Sequence, residues 1–444
     1  MKQFDAIIIG FGKAGKTLGG MLGMQGKQVL LIEKSDKMYG GTCINVGCIP
    51  SKSLVRSAAL SAGDADQSWP AREARYAAAV AEKRRVTGFL RQKNYDKLAS
   101  NSHVTILNAA ARFTGPHTVE AAGETFEAER IYINTGSTSV IPAIEGLAGN
   151  PKAYYSDSLM ELDALPHRLS IIGGGYIGME FASMYANFGA KVTVFQDGAR
   201  FLPREDEDAA DAIRALLEKQ GVRFRLGAGI RSIAHDGTVT DVNGDTVASD
   251  AVLVATGRKP NIEGLGLENA GVAVSPRGGI ITDEHLQTNV SGVFAMGDVT
   301  GGQQFTYRSL DDYRILASAL HGGHYTEKDR QNLPYSVFMA TPFARVGINE
   351  QEAKKAGLDV RVMKLPVAAI PKAQVLRRTD GFLKAIVDRE SGRILGAMLL
   401  CEEAPEMINT VKLAMDFHAD YTVLRDQIFT HPTMSEALND LFSL

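Results

Sequence analysis

One glycine pattern occurs twice in this chain, each time at the end of a β-branched run. The first copy is Ile7-Ile8-Ile9-Gly10-Phe11-Gly12-Lys13-Ala14-Gly15, and the second is Ile171-Ile172-Gly173-Gly174-Gly175-Tyr176-Ile177-Gly178. Gly10, Gly12 and Gly15 map onto Gly173, Gly175 and Gly178 by a single step of 163 residues. The same step carries Gly26 to Gly189, Val29 to Val192 and Glu33 to Gln196, so strand, turn, helix and second strand recur without a gap. In such a unit the first glycine permits a tight turn, the second lets backbone approach a pyrophosphate, and the third lets helix and strand pack closely. The helix N-terminus then offers free N–H groups and partial positive charge to phosphate. A lone copy is weak evidence, but here each has a strand before it and a helix and second strand after it. Two such units imply an α/β chain with two Rossmann-like nucleotide-binding domains.

The strand ends after the two turns differ. Leu30-Leu31-Ile32-Glu33 ends in a carboxylate, suited to the ribose hydroxyls of an adenosine. Val192-Thr193-Val194-Phe195-Gln196 ends in an amide that neither demands those hydroxyls nor repels a 2′-phosphate. Asp197 disfavours that phosphate and Arg200 could reach it, so NADH and NADPH both stay open. Two further strands end in Thr-Gly, at Thr135-Gly136 and Thr256-Gly257, one in each half. The strand Gly292–Met296 runs into Gly297-Asp298. That carboxylate either accepts a hydrogen bond from a cofactor hydroxyl or caps the helix that follows.

Shortly after the first turn comes Gly40-Gly41-Thr42-Cys43-Ile44-Asn45-Val46-Gly47-Cys48-Ile49-Pro50-Ser51-Lys52. Cys43 and Cys48 stand about one helical turn apart. The glycines before them and the helix-like spacing after Pro50 put both sulfurs at a helix N-terminus, where a thiolate is stabilised. Lys52, four residues beyond Cys48, shares its helix face and adds a cation. The chain has three cysteines, too few for a disulfide framework, so this pair is expected to cycle rather than to staple. Cys401 reads as an inert core thiol in a strand.

The remaining bulk features exclude more than they suggest. At 444 residues the chain exceeds one hydrophobic core, and roughly two to four domains follow. A net charge of −3 gives no argument for nucleic acid or an anionic membrane. No apolar run is long enough for a membrane span, and the first residues enter a strand pattern at once instead of a cleavable signal. A cytoplasmic location is expected.

In order and spacing these motifs resemble the flavin-dependent pyridine nucleotide–disulfide oxidoreductases, which include lipoamide dehydrogenase, glutathione reductase and mercuric reductase. The likeness extends to Glu180 after the second glycine motif, Ala255-Thr256-Gly257-Arg258, Met296-Gly297-Asp298 and His431-Pro432-Thr433-Met434-Ser435-Glu436. It implies that the first fold holds FAD, through Gly10, Gly12, Gly15, Glu33, Lys34, Gly41, Thr42, Lys52, Thr135, Gly136, Gly297 and Asp298. Glu33 would meet the ribose and Asp298 the ribitol. The second fold would hold NADH or NADPH through Gly173, Gly175, Tyr176, Ile177, Gly178, Gln196 and Gly257. Cys48 would lie nearer the flavin and Cys43 would face the substrate, with Lys52 beside the flavin and paired to Glu180. His431 and Glu436 would form an acid–base dyad supplied by a partner subunit, making the protein a homodimer. A histidine of ordinary pKa, about 6.5, exchanges protons with a thiol near neutrality, and a carboxylate on its far nitrogen fixes the tautomer. The implied spans are 1–147 and 263–333 for FAD, 148–262 for NAD(P)H and 334–444 for the interface.

Within that family the runs Gly10–Thr17, Phe201–Asp206, Phe305–Tyr307, Ser309–Arg314 and Asp426–His431 are most similar to a bacterial branch associated with resistance to reactive chlorine and reduction of Cu(II). A thiophilic metal ion needs no fixed cage here, since Cys43 and Cys48 could serve as transient thiolate ligands. The cysteine pair that mercuric reductases carry at the C-terminus is absent, as the chain ends Asp440-Leu441-Phe442-Ser443-Leu444. Phe429 and Phe343 stand where lipoamide dehydrogenases and many relatives carry a histidine and a glutamate. The expected activity is an NAD(P)H-driven reductase passing electrons through the Cys43–Cys48 disulfide to Cu(II) or another oxidant. A small-molecule disulfide reductase and a redox-sensing flavoprotein are the alternatives. The run Glu205-Asp206-Glu207-Asp208 reads as an acidic helix start, and Lys83-Arg84-Arg85 as a solvated helix face.

Overall fold

The β-branched run before the first glycine motif is buried on both sides, and this places it in the middle of a parallel sheet. In the computed structural model, which describes residues 1–444, the strand Lys2–Ile9 lies between Val29–Glu33 and Glu124–Ile133, with Val104–Asn108 beyond. The last residues of Glu124–Ile133 also pair with Val293–Ala295, so the chain returns to its first sheet about two-thirds of the way along. Between Val29–Glu33 and Val104–Asn108 the chain makes three helices, Gly41–Asn45, Cys48–Ala62 and Trp69–Ala99. The cysteines lie in the first two.

The second fold is a five-stranded parallel sheet in the order Arg223–Leu226, Lys191–Gln196, Arg168–Ile172, Ala251–Val254, Ala153–Tyr154. Its ladder copies the first sheet residue for residue. Ile7 pairs with Leu30 and Ile9 with Ile32; Ser170 pairs with Thr193 and Ile172 with Phe195. Gly10 and Gly173 take φ of 104° and 110°, where a side chain is strained. A Cβ would stand 2.3 Å from Asn134 O at Gly10 and 2.4 Å from Ala255 O at Gly173. Only glycine fits either turn.

The C-terminal part is an antiparallel sheet, Tyr335–Val337, Phe343–Gly347, Ile394–Leu400, Phe382–Asp388, Val360–Pro366, packed against the helices Ala404–Asp416 and Ala437–Ser443. The α/β architecture with two Rossmann-like folds and a C-terminal α+β domain is the one the glycines and the family likeness implied. No helix is long and apolar enough to cross a membrane. Cys401 is buried, one residue past the end of the strand Ile394–Leu400, and burial pushes its thiol up to about 12.

Two charge runs differ from expectation. Lys83 is not solvated: its side chain is 0% exposed, and Nζ donates to Met160 O (2.8 Å) and pairs with Glu161. The helix Glu207–Lys219 does begin at the acidic run, yet Glu205 and Asp206 are buried. Lys384, from the C-terminal sheet and 1% exposed, donates to Asp206 (3.2 Å), Asp208 (2.6 Å) and Glu350. These three carboxylates are close enough together to hold a cation, and the ammonium is that cation. Buried carboxylates are tolerable because a distant strand supplies the charge, which a local pattern cannot reveal. Lys384→Met is expected to cost about 3 kcal/mol by leaving Asp206 buried and unpaired. Thermal unfolding followed by circular dichroism measures it, and an unchanged midpoint would contradict this account.

Candidate active site

A cleft of about 2300 Å³ runs between the two nucleotide folds and the C-terminal domain. From the first fold it is lined by Gly10, Gly12, Glu33, Lys34, Gly41, Thr42, Thr135, Gly136 and Asp298, together with Cys43, Cys48 and Lys52. The second fold contributes Gly175, Tyr176, Ile177, Glu180 and Gly257. Gly15 and Gly178 instead lie under the turns, where a Cβ would strike the carbonyls of Gly10 (2.7 Å) and Gly173 (2.1 Å). A Cβ on Gly297 would stand 2.9 Å from Ser309 Oγ. Both turns lead into helices, Lys13–Met24 and Tyr176–Phe188, whose N-caps Gly12 and Gly175 carry no side-chain cap. Gly41 packs onto Gly12, its Cβ position 2.7 Å from Gly12 Cα, leaving bare backbone at the cleft wall. This cradle suits a dinucleotide's phosphates.

The residues at the strand ends first serve the turns. Phe11 N–H donates to Glu33 Oε2 (2.9 Å), and Gly174 N–H donates to Gln196 Oε1 at the same 2.9 Å. The amide of Gln196 thus replaces the carboxylate at the same step along the chain, and its Nε2 turns to Asp197 (2.8 Å). Burial raises the Glu33 carboxyl above its usual range. Asp298 caps no helix with its side chain: Oδ2 accepts from Ser137 Oγ (2.7 Å) and burial raises its pKa. Asn134 has no counterpart in the expectations. Its Oδ1 accepts from Gly15 N–H (3.0 Å) and its Nδ2 donates to Met296 O (2.8 Å), tying turn to returning strand. The only sequence signal was an amide before Thr135-Gly136, where the second fold has Ala255.

The cysteines sit on two helices, not one. Gly41–Asn45 carries Cys43, the chain breaks at Val46-Gly47, and Cys48 opens Cys48–Ala62. Cys48 is the first residue of its helix and Cys43 the third of its own, so each stands in a first turn, though of different helices; Gly47, at φ −128° and ψ −110°, separates them. Both lie at the cleft, Cys48 exposed and Cys43 partly buried. The Cys48 pKa is lowered to about 6, chiefly by the neighbouring Cys43 thiol, assisted by Thr306 and the charge of Lys52. Cys43 moves the other way, above the ordinary thiol range, because of the neighbouring Cys48 and its own burial. Thr306 Oγ1 lies 3.6 Å from Cys48 Sγ and was given no role by the sequence. Lys52 Nζ bonds both Glu180 oxygens (2.9 and 2.7 Å) and lies 4.7 Å from the centre of the Phe338 ring. Glu180 Oε1 also accepts from Phe338 N–H (2.9 Å).

His431 Nδ1 lies 2.9 Å from Glu436 Oε2, and Glu436 Oε1 accepts from Thr433 N–H (3.2 Å). This dyad is assembled, yet His431 is 71% exposed and neither residue lines the cleft of its own chain.

Comparison with known proteins settles the family. The family model described as pyridine nucleotide-disulphide oxidoreductase matches residues 4–316, and the dimerisation domain of the same family matches residues 333–442. This chain is a pyridine nucleotide-disulphide oxidoreductase. It is 49% identical, over 100% of both chains, to the probable pyridine nucleotide-disulfide oxidoreductase RclA of Escherichia coli K12. It is 33% identical to the mercuric reductase of Bacillus cereus over 98% of this chain and 70% of that one. Identity with the dihydrolipoyl dehydrogenase of Bacillus subtilis is 32%, over 99% and 97%. Among solved structures, the Cu(II) complex of the HOCl-induced flavoprotein disulfide reductase RclA from E. coli superposes with a TM-score of 0.94, covering 99% of each chain at 49% identity. As a member of this family the enzyme works with FAD and a nicotinamide nucleotide, and its C-terminal domain is a dimerisation domain. The uncapped helix starts and the bare glycine wall fit those dinucleotides.

Proposed function

We propose that this flavoenzyme draws electrons from NADH or NADPH and passes them through Cys43 and Cys48 to Cu(II) or another thiophilic oxidant, as part of a defence against reactive chlorine. One observation carries the reading: two free thiols, Cys43 and Cys48, line the same cleft, with the Lys52–Glu180 ammonium–carboxylate pair lining it too. The choice of acceptor is supported by the Cu(II) complex and the HOCl induction named for the 49% identical relative. It is supported also by Phe429 and Phe343, where disulfide-specific relatives carry polar groups.

Bound FAD supplies a two-electron carrier between the nicotinamide and the disulfide. Gly10, Gly12, Gly41 and Thr42 would face its phosphates, and Asp298 its ribitol. Gly175, Tyr176, Ile177 and Gly257 would face the nicotinamide nucleotide. Lys52, neutralised in part by Glu180, holds positive charge where electron density accumulates and favours the Cys48 anion. Reduction opens the Cys43–Cys48 bond and leaves one proton on Cys43. Two Cu(II) ions each take one electron from the dithiol; the disulfide reforms, two Cu(I) leave and the Cys43 proton is released. His431 of the partner subunit accepts that proton, with Glu436 fixing its tautomer. A cycling dithiol belongs in a reducing compartment such as the cytoplasm. The limits 1–147, 148–262, 263–333 and 334–444 are our domain division, supported by the return of Val293–Ala295 to the first sheet. The intact His431–Glu436 dyad also favours a second reading, reduction of a small disulfide.

The test is anaerobic reduction of the yellow protein at graded pH, followed by an acceptor screen. The thiolate-to-flavin absorption should appear above pH about 6 and fade as pH falls through that value, because Cys48 is depressed from 9.0 to about 6. Thr306→Val should move that midpoint upward by about one pH unit, since it removes a hydrogen bond to the anion. A midpoint in the ordinary thiol range would refute the lowered Cys48 pKa. In the screen, turnover on lipoamide or glutathione disulfide with none on Cu(II) would select the second reading.

A further inference from the structure

The segment Phe201-Leu202-Pro203-Arg204-Glu205-Asp206 belongs to the second nucleotide fold, yet the dimerisation domain holds it. Asn349 Nδ2 donates to Arg204 O (2.9 Å) and Gln351 Nε2 to Glu205 O (2.6 Å). Inside this clasp the Glu205 side chain is 0% exposed. Burying a carboxylate is costly unless both of its oxygens have partners. Here they do. Oε2 accepts from Arg345 Nη1 (3.2 Å), while Oε1 accepts from the hydroxyl of Tyr176 (2.6 Å) and from that of Tyr335. The two phenols are themselves 3.1 Å apart at oxygen.

Tyr176 is the first residue of the helix after the second glycine motif and lines the cleft. Glu180 follows it by one turn on the same face. Each is fixed from the dimerisation domain: Glu180 by Phe338 N–H, and Tyr176 through the oxygen it shares with Tyr335. An ion pair serving stability alone needs only Arg345, which already has Glu352 as a second partner. The oxygen of Glu205 given to Tyr176 does something more: it sets where a cleft-lining ring stands.

We propose that Glu205 is a positioning residue for nicotinamide-nucleotide binding, and that it holds Tyr176 in register with Glu180 by anchoring its hydroxyl to Arg345 and Tyr335 of the dimerisation domain. The inference rests on the reading of Tyr176 as part of the NAD(P)H site. It makes the affinity for the nucleotide depend on a domain that does not bind it.

The experiment uses the flavin-loaded full chain and steady-state kinetics with varied NADH or NADPH at fixed acceptor. Tyr176→Phe and Glu205→Gln should each raise KM about tenfold while changing kcat less, the size expected for a hydrogen bond to a charged group. The double variant should be no worse than either single one, because both changes break the same bond. Tyr335→Phe should raise KM in the same direction and by less, since Oε1 keeps Tyr176. Tyr176→Phe removes one hydroxyl only and folds whatever the fate of Glu205→Gln; if its KM is unchanged, the proposal is overturned. A lowered unfolding temperature in Glu205→Gln with parental KM, or additive effects in the double variant, also overturns it. Tyr176→Ala separates the two ideas. If it too leaves KM unchanged, the assignment of Tyr176 to the nucleotide site is what fails; if KM rises there but not in Tyr176→Phe, only the role of Glu205 fails.

Discussion

Cys43→Ala should give a yellow, folded enzyme that still shows the thiolate-to-flavin absorption and reduces Cu(II) at background rate. The two halves of that result come from the division of labour in the pair. Cys48 faces the cleft and is the thiol whose pKa is lowered, so the absorption should survive without Cys43. The neighbouring thiol is, however, the largest cause of the low Cys48 pKa, so the absorption should titrate at higher pH than in the parent. Turnover should fall by about a thousandfold or more, because one sulfur cannot reform the disulfide and the electrons have no two-electron exit. Cys48→Ala should lose both turnover and absorption. Equal Cu(II) reduction by Cys43→Ala and the parent, at equal flavin content, would remove the dithiol from the mechanism.

Much of this site was legible because its parts are local. The turn at Gly10 and its copy at Gly173 follow from a repeat in which even the ladder register and the Phe11–Glu33 and Gly174–Gln196 bonds recur. The Cys48–Lys52 spacing fixes a helix face. What escaped notice joins residues far apart along the chain. Thr306 reaches Cys48 across 258 positions, Asn134 links Gly15 to Met296, and Lys384 and Arg345 neutralise carboxylates more than a hundred residues away. A charge run shows how many charges a segment has, not whether a distant strand pairs them; Glu205 and Lys83 were misjudged for that reason. The cysteine helix was misdrawn for a local reason, since Gly47 allows a break where periodicity suggests continuity.

Mixing two inactive variants should restore activity. In Cys43→Ala the histidine is intact, and in His431→Ala the cysteines are intact. If His431 serves the partner's cleft, a hybrid dimer contains one complete site: cysteines from the His431→Ala chain and the histidine from the Cys43→Ala chain. Random exchange of equal amounts makes about half the dimers hybrid, each with one live site of two, so about a quarter of parental activity returns. If His431 served its own chain, every site in every dimer would lack a residue and the mixture would stay inactive. The geometry favours the first outcome, because the His431–Glu436 bond is made while His431 stands exposed and outside the cleft of its own chain. A dyad already held at 2.9 Å needs no rearrangement to act, only a second cleft brought against it. Activity that remains at background after complete exchange, verified by mass spectrometry of the hybrids, would place the proton acceptor elsewhere.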